Sequence, residues 1–125
     1  MEIIGIDHEK MKKYFIMFKY LKNYKQCYNS TQKNYIFRNK NILSFIDKSD
    51  AKNIFWEIFI NKCYSLKKTH KKRVILDIGA NVGFFTFYSL LKIPNAKIIS
   101  VEADPKNFNV LYNNIYDNNL NTQIH

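Results

Sequence analysis

Apolar positions in this chain change their period along its length, and the changes predict its elements. From Glu9 to Lys25, Met11, Tyr14, Phe15, Met17, Phe18 and Leu21 recur near helical spacing with lysines between them, which predicts an amphipathic helix. A basic amphipathic helix can lie on a membrane surface, but packing against its own domain is the commoner use. Tyr35 to Phe37 and Ile42 to Ile46 are short apolar runs around the polar cluster Arg38, Asn39, Lys40, Asn41, a pattern that predicts a small hairpin. Ser49 or Asp50 is then placed to cap a helix that carries Ile54, Phe55, Ile58 and Phe59 on one face and ends near Cys63 and Tyr64. The cationic run Lys67 to Arg73 reads as a solvated linker.

Behind that linker the pattern tightens. Val74, Ile75 and Leu76 form a continuous apolar run, as in a strand buried on both faces, and lead into Asp77, Ile78, Gly79, Ala80, Asn81, Val82, Gly83. Phe84, Phe85, Phe87, Tyr88, Leu90 and Leu91 are apolar nearly all round, which suits a helix covering a parallel sheet, and Pro94 with Asn95 breaks it. Lys97 to Val101 predicts a second strand, closed by Glu102. Asp104 and Pro105 then supply a helix start, an N-cap followed by proline at the first helical position. Phe108, Val110, Leu111 and Ile115 keep helical spacing until Asp117, Asn118 and Asn119, and Gln123 to His125 begin a third strand. Strand, glycine turn, helix, strand, acid, helix is the order of the mononucleotide-binding half of a doubly wound α/β fold. The expected division is an N-terminal helical and hairpin extension over residues 1–70 and the start of a Rossmann-like domain over 71–125.

The chain has three glycines, and two of them, Gly79 and Gly83, fall at the one turn where this fold needs them. Glycine accepts positive φ and lets a ligand approach without meeting a Cβ, while free N–H groups at the helix start are expected to face that ligand. Asn81 between them also tolerates the left-handed region. Glu102 follows Gly83 by 19 residues, at the next strand end, where a carboxylate accepts hydrogen bonds from both ribose hydroxyls. Taken singly, each glycine could mark a plain tight turn, Glu102 a solvated strand end and Asp77 a cap on nearby N–H groups. Their joint register points to adenosine binding.

Composition narrows the function less. Apolar residues at 46% and aromatics at 16% exclude a disordered tail. The net charge of +10 is spread from Lys10 to Lys106 and travels with abundant Asn, Ile and Tyr, the signature of an A- and T-rich coding bias more than of a basic patch, so nucleic acid is not an expected partner. Cys27 and Cys63 lack metal-ligand or disulfide spacing and read as free thiols. With no apolar signal region and no run of about 18 apolar residues, a cytoplasmic protein without a membrane span is expected. His8 and His70 fall in unpatterned segments and His125 is the last residue, so no general base is named.

A dinucleotide site expects G-x-G-x-x-G, whereas this turn reads D-I-G-A-N-V-G, with Ala80 and Asn81 inside it. Together with the stretch from Val74 to Leu91, the stretch from Ile98 to Ile115 and the preceding helix with Phe55, Phe59 and Tyr64, it resembles the FkbM family of class I methyltransferases, over roughly Ala51 to the end. The resemblance implies a Rossmann-like enzyme that uses S-adenosyl-L-methionine to methylate hydroxyl oxygens of sugars or other small metabolites. By carry-over, Asp77 and Gly79 line the methionine part of the cofactor, Ala80, Asn81 and Gly83 shape the turn, and Glu102 holds the ribose. Ala103 stands where the family often has proline. Because the family continues through further strands, the 125 residues are expected to be a truncated, poorly soluble and inactive piece. A non-catalytic module whose sheet is completed by a second chain is the alternative. A nicotinamide-dependent oxidoreductase fits the strand and acid order but not the turn.

Overall fold

The computed structural model describes residues 7–29 and 33–125. Helix α1 (His8–Tyr20) starts at Asp7, whose carboxylate accepts the N–H groups of Glu9 and Lys10. It stops short of the expected Lys25. Leu21 is extended and bridges Phe37, while Lys22 N–H donates to the Ile36 carbonyl at 2.7 Å. Pairing with the hairpin therefore wins over helix continuation, and a separate short helix α2 (Tyr24–Tyr28) follows. The hairpin consists of β1 (Asn34–Ile36) and β2 (Ile42–Ser44), antiparallel with Tyr35 opposite Leu43.

Helix α3 (Lys48–Phe55) is capped by Asp47, which accepts the Asp50 N–H, and not by Ser49 or Asp50. The helix widens into one π-helical turn, Trp56–Ile60, closed by Asn61 N–H on the Trp56 carbonyl, so that the consecutive Ile58, Phe59 and Ile60 are all buried. Phe55 and Phe59 stack at 4.5 Å between centroids.

The second half follows the expected order: β3 (Val74–Ile78), α4 (Phe84–Lys92), β4 (Lys97–Val101), α5 (Pro105–Asp117) and β5 (Thr122–Ile124). The strands form a parallel sheet in the order β3, β4, β5, with Leu76 opposite Ile99 and Asp77 opposite Ser100. This is an incomplete Rossmann-like α/β fold. Side chains alternate across it: Asp77, Ile98 and Ser100 are buried on the helix side, while Val74, Leu76 and Ile78 are 71%, 59% and 75% exposed on the other. The expected burial of β3 on both faces is thus met on one face only, because no described element covers the other.

One buried cluster runs from Met17, Phe37, Leu43, Phe55 and Phe59 into Phe84, Phe87 and Leu111, so the front of the chain packs directly on the helices of the sheet. Side-chain amides close the hairpin's edges. On β1, Asn23 donates to the Asn34 carbonyl and accepts the Ile36 N–H. On β2, Asn118 pairs with both backbone groups of Ile42, and Asn114 with both of Ser44. Asparagines one helical turn apart thereby match alternate residues of a strand, imitating a neighbouring strand. Asn114 also donates to the Val82 carbonyl at 2.8 Å, which ties hairpin, α5 and glycine turn to one buried amide.

Replacing Asn114 by alanine leaves these three backbone groups without partners inside the protein, at about 1 to 1.5 kcal/mol each. Denaturant melts should show Asn114→Ala losing about 3 kcal/mol and clearly more than Asn118→Ala; equal losses would contradict the bridging role.

Candidate functional site

The C-terminal ends of β3 and β4 meet at the turn from Gly79 to Gly83. Three of its residues have positive φ: Gly79 at 75°, Asn81 at 54° and Gly83 at 110°. These values fold the chain back over the strand ends before α4 begins. A Cβ on Gly83 would sit 3.1 Å from Leu111 Cδ1, so that glycine allows close packing of the turn on α5. A Cβ on Gly79 would meet nothing within 4 Å, so the space beside that residue is open.

Every N–H of the turn is already taken. Gly79 and Ala80 both donate to the Val101 carbonyl, at 2.8 and 3.0 Å, and Gly83 donates to the Ala80 carbonyl at 3.0 Å. Asn81 donates to Glu102 Oε2 at 2.6 Å, and Val82 donates to the Asn81 side-chain oxygen at 2.7 Å. The turn's own N–H groups are therefore occupied, and the helix-start groups expected to face a ligand are those of α4, which begins at Phe84 without a side-chain cap. What the turn offers is open space beside Gly79, with the Glu102 carboxylate bonded to the turn and the Asp77 carboxylate buried behind it. A pyrophosphate needs donors and would meet negative charge here, whereas hydroxyl, amino and sulfonium groups suit such a surface.

Glu102 is half-buried and accepts from Asn81 through Oε2 and from Asp104 N–H through Oε1 at 2.8 Å. A carboxylate has about four acceptor positions, so two remain for a diol. Ala103 is exposed beside it. Asp104 performs its expected role, accepting the N–H groups of Lys106 and Asn107 at the start of α5.

Asp77 is buried and does not act as a cap. Its Oδ2 accepts the Thr86 hydroxyl at 3.0 Å, and Thr86 Oγ1 lies 2.9 Å from Ser100 Oγ, with both hydroxyl residues fully buried. Burial pushes the Asp77 carboxyl above the ordinary carboxylate range, the Thr86 hydrogen bond opposes this, and the charge of Glu102 adds to the rise. Thr86 and Ser100 escape a sequence reading because each looks like a small filler between apolar neighbours. Their only signal is that a hydroxyl recurs on the buried face of α4 and of β4.

The front of the chain reaches the turn as well. A cleft of about 210 Å³ is walled by Asp47 and Asp50 at the start of α3, by Asn81 and Val82, and by Asp104 and Lys106. A larger cavity of about 530 Å³ runs along Tyr112, Tyr116 and Ile124, on the far side of α5 from these groups. His70 donates no side chain to the turn; its carbonyl accepts from Asn95, and His8 is exposed on α1. Among the described residues there is no cluster able to hold a metal ion, and Cys27 and Cys63 are unpaired.

No protein-family model matches the chain. Over 70 residues it is 39% identical to Methyltransferase sdnD of Sordaria araneosa, and over 73 residues 34% identical to Methyltransferase 1 of Beauveria bassiana. The relatives are methyltransferases. These alignments cover 56% and 58% of this chain but only 27% and 29% of the two proteins, so the chain spans less than a third of the relatives it matches. Among solved structures, Pyrococcus horikoshii TYW2 in complex with MeSAdo aligns with 74% of this chain and 35% of its own length, at 16% identity and a TM-score of 0.49.

Thr86→Val keeps the shape and removes the donor to Asp77. Carbon-13 titration of the Asp77 carboxyl should place wild type above the ordinary carboxylate value and Thr86→Val higher still, with Thr86→Ser restoring wild-type behaviour. An ordinary value in wild type, or no change in the valine variant, would contradict this arrangement.

Proposed function

We propose that the turn and the two strand ends bind S-adenosyl-L-methionine, and that the polypeptide carrying them is a methyltransferase. The observation that carries this reading is the fully satisfied turn between two carboxylates, which has no donor to spare for a phosphate. Similarity to two methyltransferases supports it. Gly79 leaves room for the methionine part, the buried Asp77 faces its amino group, Ala80, Asn81 and Gly83 shape the turn, and Glu102 accepts the ribose hydroxyls beside Ala103.

The cofactor supplies an activated methyl group on sulfur. The protein's contribution is to fix that group's line of approach and to exclude water, which matters because the leaving group is already good. We read the acceptor as a hydroxyl of a sugar or another small metabolite, in keeping with the FkbM resemblance. Its oxygen forms the bond to the methyl carbon as the carbon–sulfur bond breaks, and its proton passes to a base that lies outside the groups described above. The reading keeps the reaction in the cytoplasm, which two unpaired cysteines suit.

A second reading is favoured by the open edge and bare apolar face of β3: a non-catalytic module whose sheet is completed by another chain. A nicotinamide oxidoreductase is disfavoured by Ala80 and Asn81 in the turn, where a dinucleotide site expects G-x-G-x-x-G.

Calorimetry on the 125-residue protein should show saturable binding of S-adenosylhomocysteine and at least tenfold weaker binding of NAD. Glu102→Ala should weaken the former about tenfold or more, since a hydrogen bond to a charged group contributes about 1.5 to 3 kcal/mol. Preference for NAD, or a Glu102→Ala variant that binds as well as wild type, would sink the assignment.

A further inference from the structure

Helix α1 has two apolar faces; its own domain covers one and touches the other only at Phe18, whose ring meets Tyr24 edge-on at 5.0 Å and carries Arg38. Met17 and Leu21 are buried, Ile16 and Tyr20 are partly covered, and Lys13 lies over the Trp56 ring, so this side of the helix is the packed one. Met11, Phe15 and Phe18, at spacings of four and three residues, form a second stripe that is 40%, 62% and 48% exposed. Exposure of this extent in one line is unlike the scattered apolar residues of an ordinary surface.

Among the described residues, the charge flanking this stripe is cationic. Lys12 and Lys19, seven residues apart, are exposed along one flank and Lys10 along the other. Arg38 stands over the Phe18 ring at 4.9 Å, held there by two hydrogen bonds to the Phe18 carbonyl. The acids nearby are occupied on the helix itself: Asp7 caps the helix and pairs with Lys10, and Glu9 pairs with Lys13.

We propose that this face of α1 seats on an anionic lipid surface, with Met11, Phe15 and Phe18 entering the headgroup and acyl boundary and the lysines and Arg38 meeting the lipid charges. An in-plane helix needs an apolar stripe flanked by cations, and both are present. A second copy of this chain would bring the same lysines against one another. A nucleic acid would meet the cations but gain nothing from the apolar stripe. No described helix is long and apolar enough to cross a membrane, so the contact is with the surface.

The test is sedimentation of the 125-residue protein with phosphatidylcholine vesicles, with and without 30% phosphatidylserine. Wild type should bind the anionic vesicles and not the neutral ones. Met11→Ser/Phe15→Ser, which changes two exposed side chains and no charge, should bind at least about fivefold more weakly while keeping wild-type circular dichroism. Lys12→Glu/Lys19→Glu should lose more binding than Lys67→Glu/Lys68→Glu, which makes the same charge change in the linker. Equal binding by the Met11→Ser/Phe15→Ser variant would reduce the effect to net charge and overturn the proposal. A dimer in wild type that this variant dissolves, or tighter binding of a short DNA duplex than of vesicles at the same salt, would also overturn it.

Discussion

The 2.6 Å hydrogen bond from Asn81 N–H to Glu102 holds the site together. It joins the turn after the first strand of the parallel sheet to the end of the second, and nothing in either strand's own pairing requires it. Asn81 can present its N–H because it adopts positive φ, with its side chain turned back to accept from Val82. Glu102 can receive it because Asp104 N–H holds the other oxygen. A charge-assisted bond of this length fixes a carboxylate and a loop together, and a preorganised carboxylate is what recognition of a diol needs.

The rest of the molecule braces that pair. Gly83 lets the turn approach Leu111 on α5, and Asn114 on the same helix holds the Val82 carbonyl from behind. Because Asn114 also completes the edge of β2, the hairpin becomes part of the turn's support, and residues with no evident role in sequence acquire one. Below the turn, the chain of hydroxyls from Ser100 to Thr86 to Asp77 stabilises a buried carboxylate that would otherwise resist ionisation.

The sheet half was legible because its signals are local. Two of three glycines four positions apart, a long apolar helix and the Asp104–Pro105 start each report on backbone conformation within a few residues. The front was harder to read, since distant partners decide it. The helix expected to reach Lys25 ends at Tyr20 because Leu21 bridges Phe37 and Lys22 N–H bonds to Ile36 of β1, and the cap of α3 is Asp47, two and three positions before the two candidates. Asparagine abundance read as coding bias, yet Asn23, Asn114 and Asn118 serve as edge partners for strands, in Asn114's case across 70 residues of chain. Period and composition carry no trace of a partner that far away. The bonding inside the turn was not legible: the left-handed Asn81 and the Val101 and Glu102 acceptors occupy its N–H groups, a pairing that glycine positions alone do not announce.

The most direct measurement is the backbone amide proton of Asn81, followed by NMR in the wild-type chain and in Glu102→Gln. A short bond to a carboxylate should draw that proton far downfield in wild type, and the neutral amide should return it toward ordinary values while the other turn amides stay in place. An Asn81 proton at an ordinary position in wild type, unmoved by the substitution, would mean that Glu102 does not hold the turn, and the account of the site would fail with it.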